Sequence, residues 1–291
     1  MMKSNTSFPG RLTPIGLRGV LCALALLLFL VLDLSAGVLV APTVVILSDK
    51  ERTGRITIQN PTAKPREVDI YFSFGLPESD SLGDVRISLQ DSNVTDTRSA
   101  LDWIKAFPRK VLLAPNGSQV VRLVANPPDS LQPGEYWARI VIRSQDGAAA
   151  LPLAGENNQI TTNLNMIMQT AIMLKYRTGE LTAKLELADA SALQRDSLIE
   201  VMLDMANRGN VSYVGILTCR LLDAGKKEIS HKKIDLAVYR DMKRRINLPF
   251  LPGDFKPPYQ VEVLITTEGR HDIADKDMIF GNIINRTLAV P

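Results

Sequence analysis

The chain has 291 residues, 45% hydrophobic and 22% charged, which excludes disordered, collagen-like and polytopic membrane classes and leaves an ordinary globular protein. At this length a single core usually splits in two, and two cysteines are too few for a disulfide-stapled fold or a cysteine-rich zinc module. The balance of 34 Lys and Arg against 31 Asp and Glu is only +3, which does not supply the clustered charge of a nucleic-acid surface.

Residues 1–37 have the order of an export signal. Lys3, Arg11 and Arg18 precede an unbroken apolar run from Val20 to Leu32, followed by Asp33 and the small residues Ser35, Ala36 and Gly37. The run is shorter than the roughly 17–25 residues of a membrane-spanning helix, so cleavage is expected and a periplasmic location with it; an uncleaved segment anchoring the protein to the membrane is the alternative. Cys22 follows Leu21 at the start of this run, which is not the setting of a lipid-attachment site. Removal of the segment leaves Cys219 alone, and its simplest role is that of a small buried hydrophobe.

Beyond residue 37 the apolar positions alternate with period two. Ile56 and Ile58 alternate with Arg55, Thr57 and Gln59; Val68, Ile70, Phe72 and Phe74 with Asp69, Tyr71 and Ser73; Tyr136, Ala138, Ile140 and Ile142 with Trp137, Arg139 and Arg143. Asn60-Pro61, Pro115-Asn116-Gly117 and Pro133-Gly134 bound these segments with turn chemistry. One helical turn or two is expected around Ser99–Lys105. Alternation resumes over Leu181–Leu187, Ile199–Met205, Val214–Leu222, Ile246–Phe250 and Val261–Ile265. The halves echo one another: an apolar strand, a Pro/Gly turn and a strand opened by Tyr136 recur as a strand, a Pro/Gly turn and a strand opened by Tyr259. The fold expected is all-β, with two immunoglobulin-like β-sandwich domains in tandem, 38–178 and 179–291, after the signal segment.

Enzymatic motifs are missing. His231 and His271 stand forty residues apart, with neither H-E-x-x-H nor G-x-S-x-G. His231 lies in the polar stretch Lys226–Lys233 and reads as solvated. His271–Asp277 carries alternate carboxylates but lacks the glycine and closing glutamate of a calcium loop. Arg240, Lys243, Arg244 and Arg245 read as a solvated strand face or a strand edge protected by charge. A non-enzymatic protein is expected, with no cofactor, no metal, no small-molecule substrate and no nucleic-acid partner.

Three stretches carry a resemblance: Pro108–Leu123 (PRKVLLAPNGSQVVRL), Pro127–Ile142 (PPDSLQPGEYWARIVI) and Asn163–Arg177 (NLNMIMQTAIMLKYR). In this order, in an exported all-β chain, they resemble the periplasmic pilus-chaperone (PapD-like) family; the similarity spans most of 38–178 and fades in the second half. It implies a chaperone-like protein that lends the last strand of its first domain to an incomplete fimbrial or surface-fibre subunit, a form of β-strand addition, with an outer-membrane usher as a second candidate partner. Carried onto this sequence, the partner-binding positions are Leu164, Met166 and Met168, and on the same face Thr170 and Ile172. The resemblance also assigns Glu135 and Arg177 to setting the angle between the domains. The loop 144–162, with its apolar centre Ala148–Ala154, extends the lending edge. The family's two carboxylate-anchoring cations are replaced here by Val44 and Met173, with Lys175 two residues on. This departure keeps a second reading open, a structural Ig-like envelope or surface protein without chaperone activity.

Overall fold

In a computed structural model of the chain, residues 37–147, 166–251, 253 and 255–291 are described; the signal segment and most of the 144–162 loop lie outside them. The first half contains β1 (Leu39–Ala41), β2 (Val44–Ser48), β3 (Thr53–Gln59), β4 (Arg66–Ser73), β5 (Pro77–Ser79), β6 (Val85–Ile87), β7 (Ile104–Phe107), β8 (Lys110–Leu113), β9 (Ser118–Ala125), β10 (Gly134–Asp146) and β11 (Met168–Thr178). The second contains β12 (Leu185–Arg195), β13 (Leu198–Asn207), β14 (Tyr213–Leu222), β15 (Glu228–Val238), β16 (Met242–Pro249), β17 (Tyr259–Thr266) and β18 (Ile284–Val290). The helix expected near Ser99–Lys105 is a single 3₁₀ turn, Leu101–Trp103.

Each half is a two-sheet sandwich. In the first, sheet β1-β3-β9-β7 faces sheet β2-β11-β10-β4-β8; in the second, β12-β13-β16 faces β15-β14-β17-β18. Alternation dictates the packing, because in a strand every second side chain points to one face. Ile56, Ile58, Val121, Leu123, Ile140, Ile142 and Leu174 close one core, and Ile199, Val201, Leu203, Leu217, Val261 and Val263 close the other. Cys219 is fully buried in the second core, where burial pushes its thiol up to about 12. The repeated Tyr-opened strand has a structural basis. The hydroxyl of Tyr136 donates to the carbonyl of Gln132 at 3.0 Å, and that of Tyr259 to Phe255 at 3.3 Å, each bond reaching back four residues to lock the turn onto the strand.

Several boundaries differ from those expected. β10 runs on to Asp146, so the connection begins at Gly147 rather than at Ser144. The polar stretch around His231 is part of β15, an outer strand with one wet face, where His231 lies 2.8 Å from Glu228. Its low hydrophobicity hid a strand whose core contacts come from Leu236 and Val238 further along.

The basic cluster lies on and just before β16, an edge strand as the second alternative expects, and most of its charges are paired as well. The β5–β6 hairpin of the first sandwich reaches across to this edge strand of the second: Arg245 N–H donates to the Gly83 carbonyl at 3.2 Å, Lys243 N–H to Ser79 Oγ at 2.7 Å, and the Arg245 guanidinium binds the Asp84 carboxylate at 2.6 and 2.7 Å. Arg240 pairs with Asp96. Gly83, at φ +77°, is where glycine is required: a Cβ there would come within 2.5 Å of the Arg245 backbone nitrogen.

Candidate functional site: the two halves of strand β11

β11 pairs with β10 along its whole length, from Met168 opposite Ser144 to Thr178 opposite Gly134. On its other side β2 accompanies it in parallel only from Met173 to Arg177. Among the described residues Met168–Ile172 therefore present an edge with no strand partner, in a lane that ends where Val44 begins. The end of β11 and its approach are apolar and exposed: Met166, Ile167 and Met168 retain 50%, 45% and 37% of their surface. A Cβ on Gly37 would sit 3.2 Å from the Met168 sulfur, which places the start of the described chain against this edge.

Of the five partner-binding positions expected, Met166 and Met168 are at this exposed end, Thr170 is half-buried, and Leu164 lies outside the described residues. Ile172 requires a correction. It is buried in the first sandwich's own core with Leu174 and Tyr176, which share its face of β11. Its side chain has no surface to offer a partner.

The lane's end is apolar as well. Val44 and Met173 stand directly opposite each other in the β2–β11 register. Met173 packs with Phe74, Leu76, Trp137 and Tyr239, and Val44 lies against the same cluster. The cross-strand neighbour of Met173 on β10 is Arg139, whose Nε donates to the Gly75 carbonyl at 2.7 Å. Burial pulls its pKa down, and among the described residues no carboxylate lies within 4 Å of it.

Lys175 is not available as a substitute anchor. It is almost completely buried at the junction of the sandwiches, within the single unit 37–291. Its Nζ donates to Ser212 Oγ at 2.5 Å, lies 3.2 Å from Glu135 Oε1 and stands over the Tyr239 ring. Glu135, fully buried, is the hub of this network. Its Oε2 accepts from Arg177 Nε at 2.9 Å; its Oε1 accepts from Trp137 Nε1 at 2.7 Å and Ser212 Oγ at 2.5 Å. Arg177 also donates to the backbone carbonyl of Asp277. Ser212 and Asp277 belong to the second sandwich, so Glu135 and Arg177 make contacts across the junction.

Burial by itself would raise the Glu135 pKa, but Lys175, Arg177 and the hydroxyl and indole donors more than offset it and hold it at about 2. Lys175 moves down: its desolvation and the nearby Arg177 outweigh its attraction to Glu135. One carboxylate shared by two cations serves the better-placed one first. Sequence reading placed Glu135 and Arg177 at the junction by resemblance and noted Lys175 only as a cation near the lost anchor; its burial against Glu135 gave no signal, and Ser212 belongs to no motif.

The remaining candidates are dispersed. Asp272 is held by Arg270, and Asp275–Asp277 form a 3₁₀ turn. Among the described residues no group of three or more His, Cys, Asp or Glu could hold a metal, and no helix is long and apolar enough to cross a membrane.

No protein-family model and no curated protein sequence matches the chain. Solved structures do. The CupB2 chaperone of Pseudomonas aeruginosa aligns at 12% identity and TM-score 0.42, over 87% of this chain and all of that one. The CsuC–CsuE chaperone–tip adhesion subunit complex of Acinetobacter baumannii aligns at 12% and 0.42, over 88% and 98%. Salmonella enterica SafA pilin in complex with the SafB chaperone aligns at 14% and 0.42, over 87% and 96%. The fold is a tandem of two Ig-like sandwiches.

Proposed function

We propose that the protein is a non-enzymatic, periplasmic, chaperone-like protein that holds a fimbrial or surface-fibre subunit by β-strand addition at the outer half of β11. The observation that carries this reading is the edge Met168–Ile172, unpaired among the described residues, which opens with exposed Met168 and is preceded by exposed Met166. An extended segment laid along this edge satisfies the open backbone groups, while the methionines supply adaptable apolar contact. Thr170 contributes at the margin and Ile172 not at all.

Register is set differently from a lane that ends in cations. A charge-assisted hydrogen bond to a carboxylate contributes about 1.5–3 kcal/mol, and Val44 and Met173 provide none. Affinity rests on the strand pairing and on apolar burial of about 1.5–3 kcal/mol per fully covered side chain, before the costs of association. Co-expression in a periplasm with a fimbrial subunit encoded beside this protein tests the reading. Wild type raises recovery of soluble subunit, and Met166→Asp with Met168→Asp abolishes the effect; equal recovery with both forms rejects strand addition at β11.

The apolar Val44–Met173 pair and the commitment of Lys175 to Glu135 favour one second reading, a structural Ig-like envelope protein without a client. A chain that remains monomeric and raises recovery of no neighbouring subunit supports that reading.

A further inference from the structure

We propose a second docking site, separate from β11: the corner where β2 and β3 leave the first sandwich open binds an extended, acidic segment of a partner protein. The chain crosses from one sheet to the other between β1 and β2, and two strands lose a neighbour there. β2 pairs with β11 on one side and is the edge of its sheet on the other. β3 is covered by β1 only at Thr57–Gln59, so among the described residues Thr53–Ile56 have no strand partner on that side. Between them lies a cleft of about 610 Å³.

The cations of this cleft lack counter-ions. Arg55 and Arg122 stand directly opposite each other in the β3–β9 register, and both line the cleft with Lys276 of the second sandwich. Like charges directly opposite one another weaken a strand pair, yet among the described residues none of the three has a carboxylate within 4 Å, although Glu51 and Asp277 also line the cleft. The outward face of this sheet, carrying Arg55 on β3, Arg122 on β9 and Lys105 and Phe107 on β7, has no acidic residue at all. Val120 and Phe107 are about half exposed beside the arginines, Phe107 opposite Arg122. Three unpaired cations select an anion, and two open strand edges select a peptide backbone over a phosphate or a lipid headgroup. Carboxylates alternating along an extended chain meet both needs.

Fluorescence anisotropy of a labelled ten-residue peptide of alternating Glu and Val, titrated with the full chain, tests the site. The peptide binds; its Lys/Val counterpart does not; 0.5 M NaCl weakens binding at least tenfold. Arg122→Gln weakens binding at least fivefold while leaving the melting temperature equal or higher, since it removes the opposed charge; a merely structural arginine would lower it. Met166→Asp with Met168→Asp leaves the peptide affinity unchanged, which separates this site from the β11 edge. Equal binding of acidic and basic peptides, unaltered affinity in Arg122→Gln, or polyphosphate displacing the peptide at equal charge concentration overturns the proposal.

Discussion

The outer and inner halves of β11 obey the same alternation but have opposite fates. From Met168 to Ile172 the strand has β10 on one side and, among the described residues, no strand on the other; from Met173 to Arg177 it is enclosed by β10 and β2 and packed against the second sandwich. One half carries exposed methionines, whereas the other buries a lysine and an arginine. The difference arises from the neighbours: β2 covers only half of the strand, and the second sandwich supplies Ser212 and Asp277 to the covered half. An open edge and a buried ionic junction thus share one strand, and each can be broken without the other.

The largest effect is expected at the hub of the inner half. Glu135→Ala leaves Lys175 and Arg177 buried without their carboxylate, and removing one partner of a buried pair costs about 3–5 kcal/mol. Urea unfolding of the full chain measures it. Glu135→Gln, which keeps the shape and part of the hydrogen bonding, should lie between the two; wild-type stability in both variants would show that the junction does not depend on this network.

Acid probes the same group without mutation. The Glu135 pKa is lowered from 4.5 to about 2 in the folded chain. A lowered carboxylate pKa contributes stability that is complete above the unfolded value and is lost as pH falls through the folded one. Stability should therefore decline between about pH 4.5 and 2 by an amount of order 3 kcal/mol, and Glu135→Gln should flatten the urea-midpoint profile in that window.

How far these residues could be read in advance follows from what sequence periodicity encodes. Alternation reports which face of a strand is apolar, and it found β3, β4, β10, β13 and β17 because each has one core-facing row. It also marked the Tyr-opened strands, whose hydroxyls close equivalent turns in both halves. It does not report which strand lies alongside. Ile172 and Met168 share a face, yet one is core and the other exposed, because depth along β11 depends on where β2 starts. The role of Lys175, noted in the sequence only as a cation near the lost anchor, was illegible for the same reason: its partners, Glu135 and Ser212, come from β10 and from the second sandwich. The β5–β6 hairpin carried no strong alternation, and its role as cover for β16 appears only once both sandwiches are in place.

A smaller effect separates the two ends of the lending face. Ile172→Ala opens a cavity in the first core and should cost about 3 kcal/mol, with little direct effect on client affinity once folding is restored by lower temperature. A client loss at Ile172→Ala exceeding its loss of folded protein would return Ile172 to the binding face.

The smallest effect on folding is expected where the effect on binding is greatest. Met166 and Met168 keep half and more than a third of their surface free, so Met166→Asp with Met168→Asp removes little buried area and should shift stability by less than about 1 kcal/mol. An aspartate is tolerated there because water already reaches the position. Once a client strand covers the edge, the same carboxylates would lie in an apolar groove without counter-ions, where burying an unpaired charge is costly. Folding and binding should thus respond in opposite proportion at the two ends of one strand. If the double variant instead lowered the melting temperature as much as Ile172→Ala, the methionines would be part of the sandwich's own core.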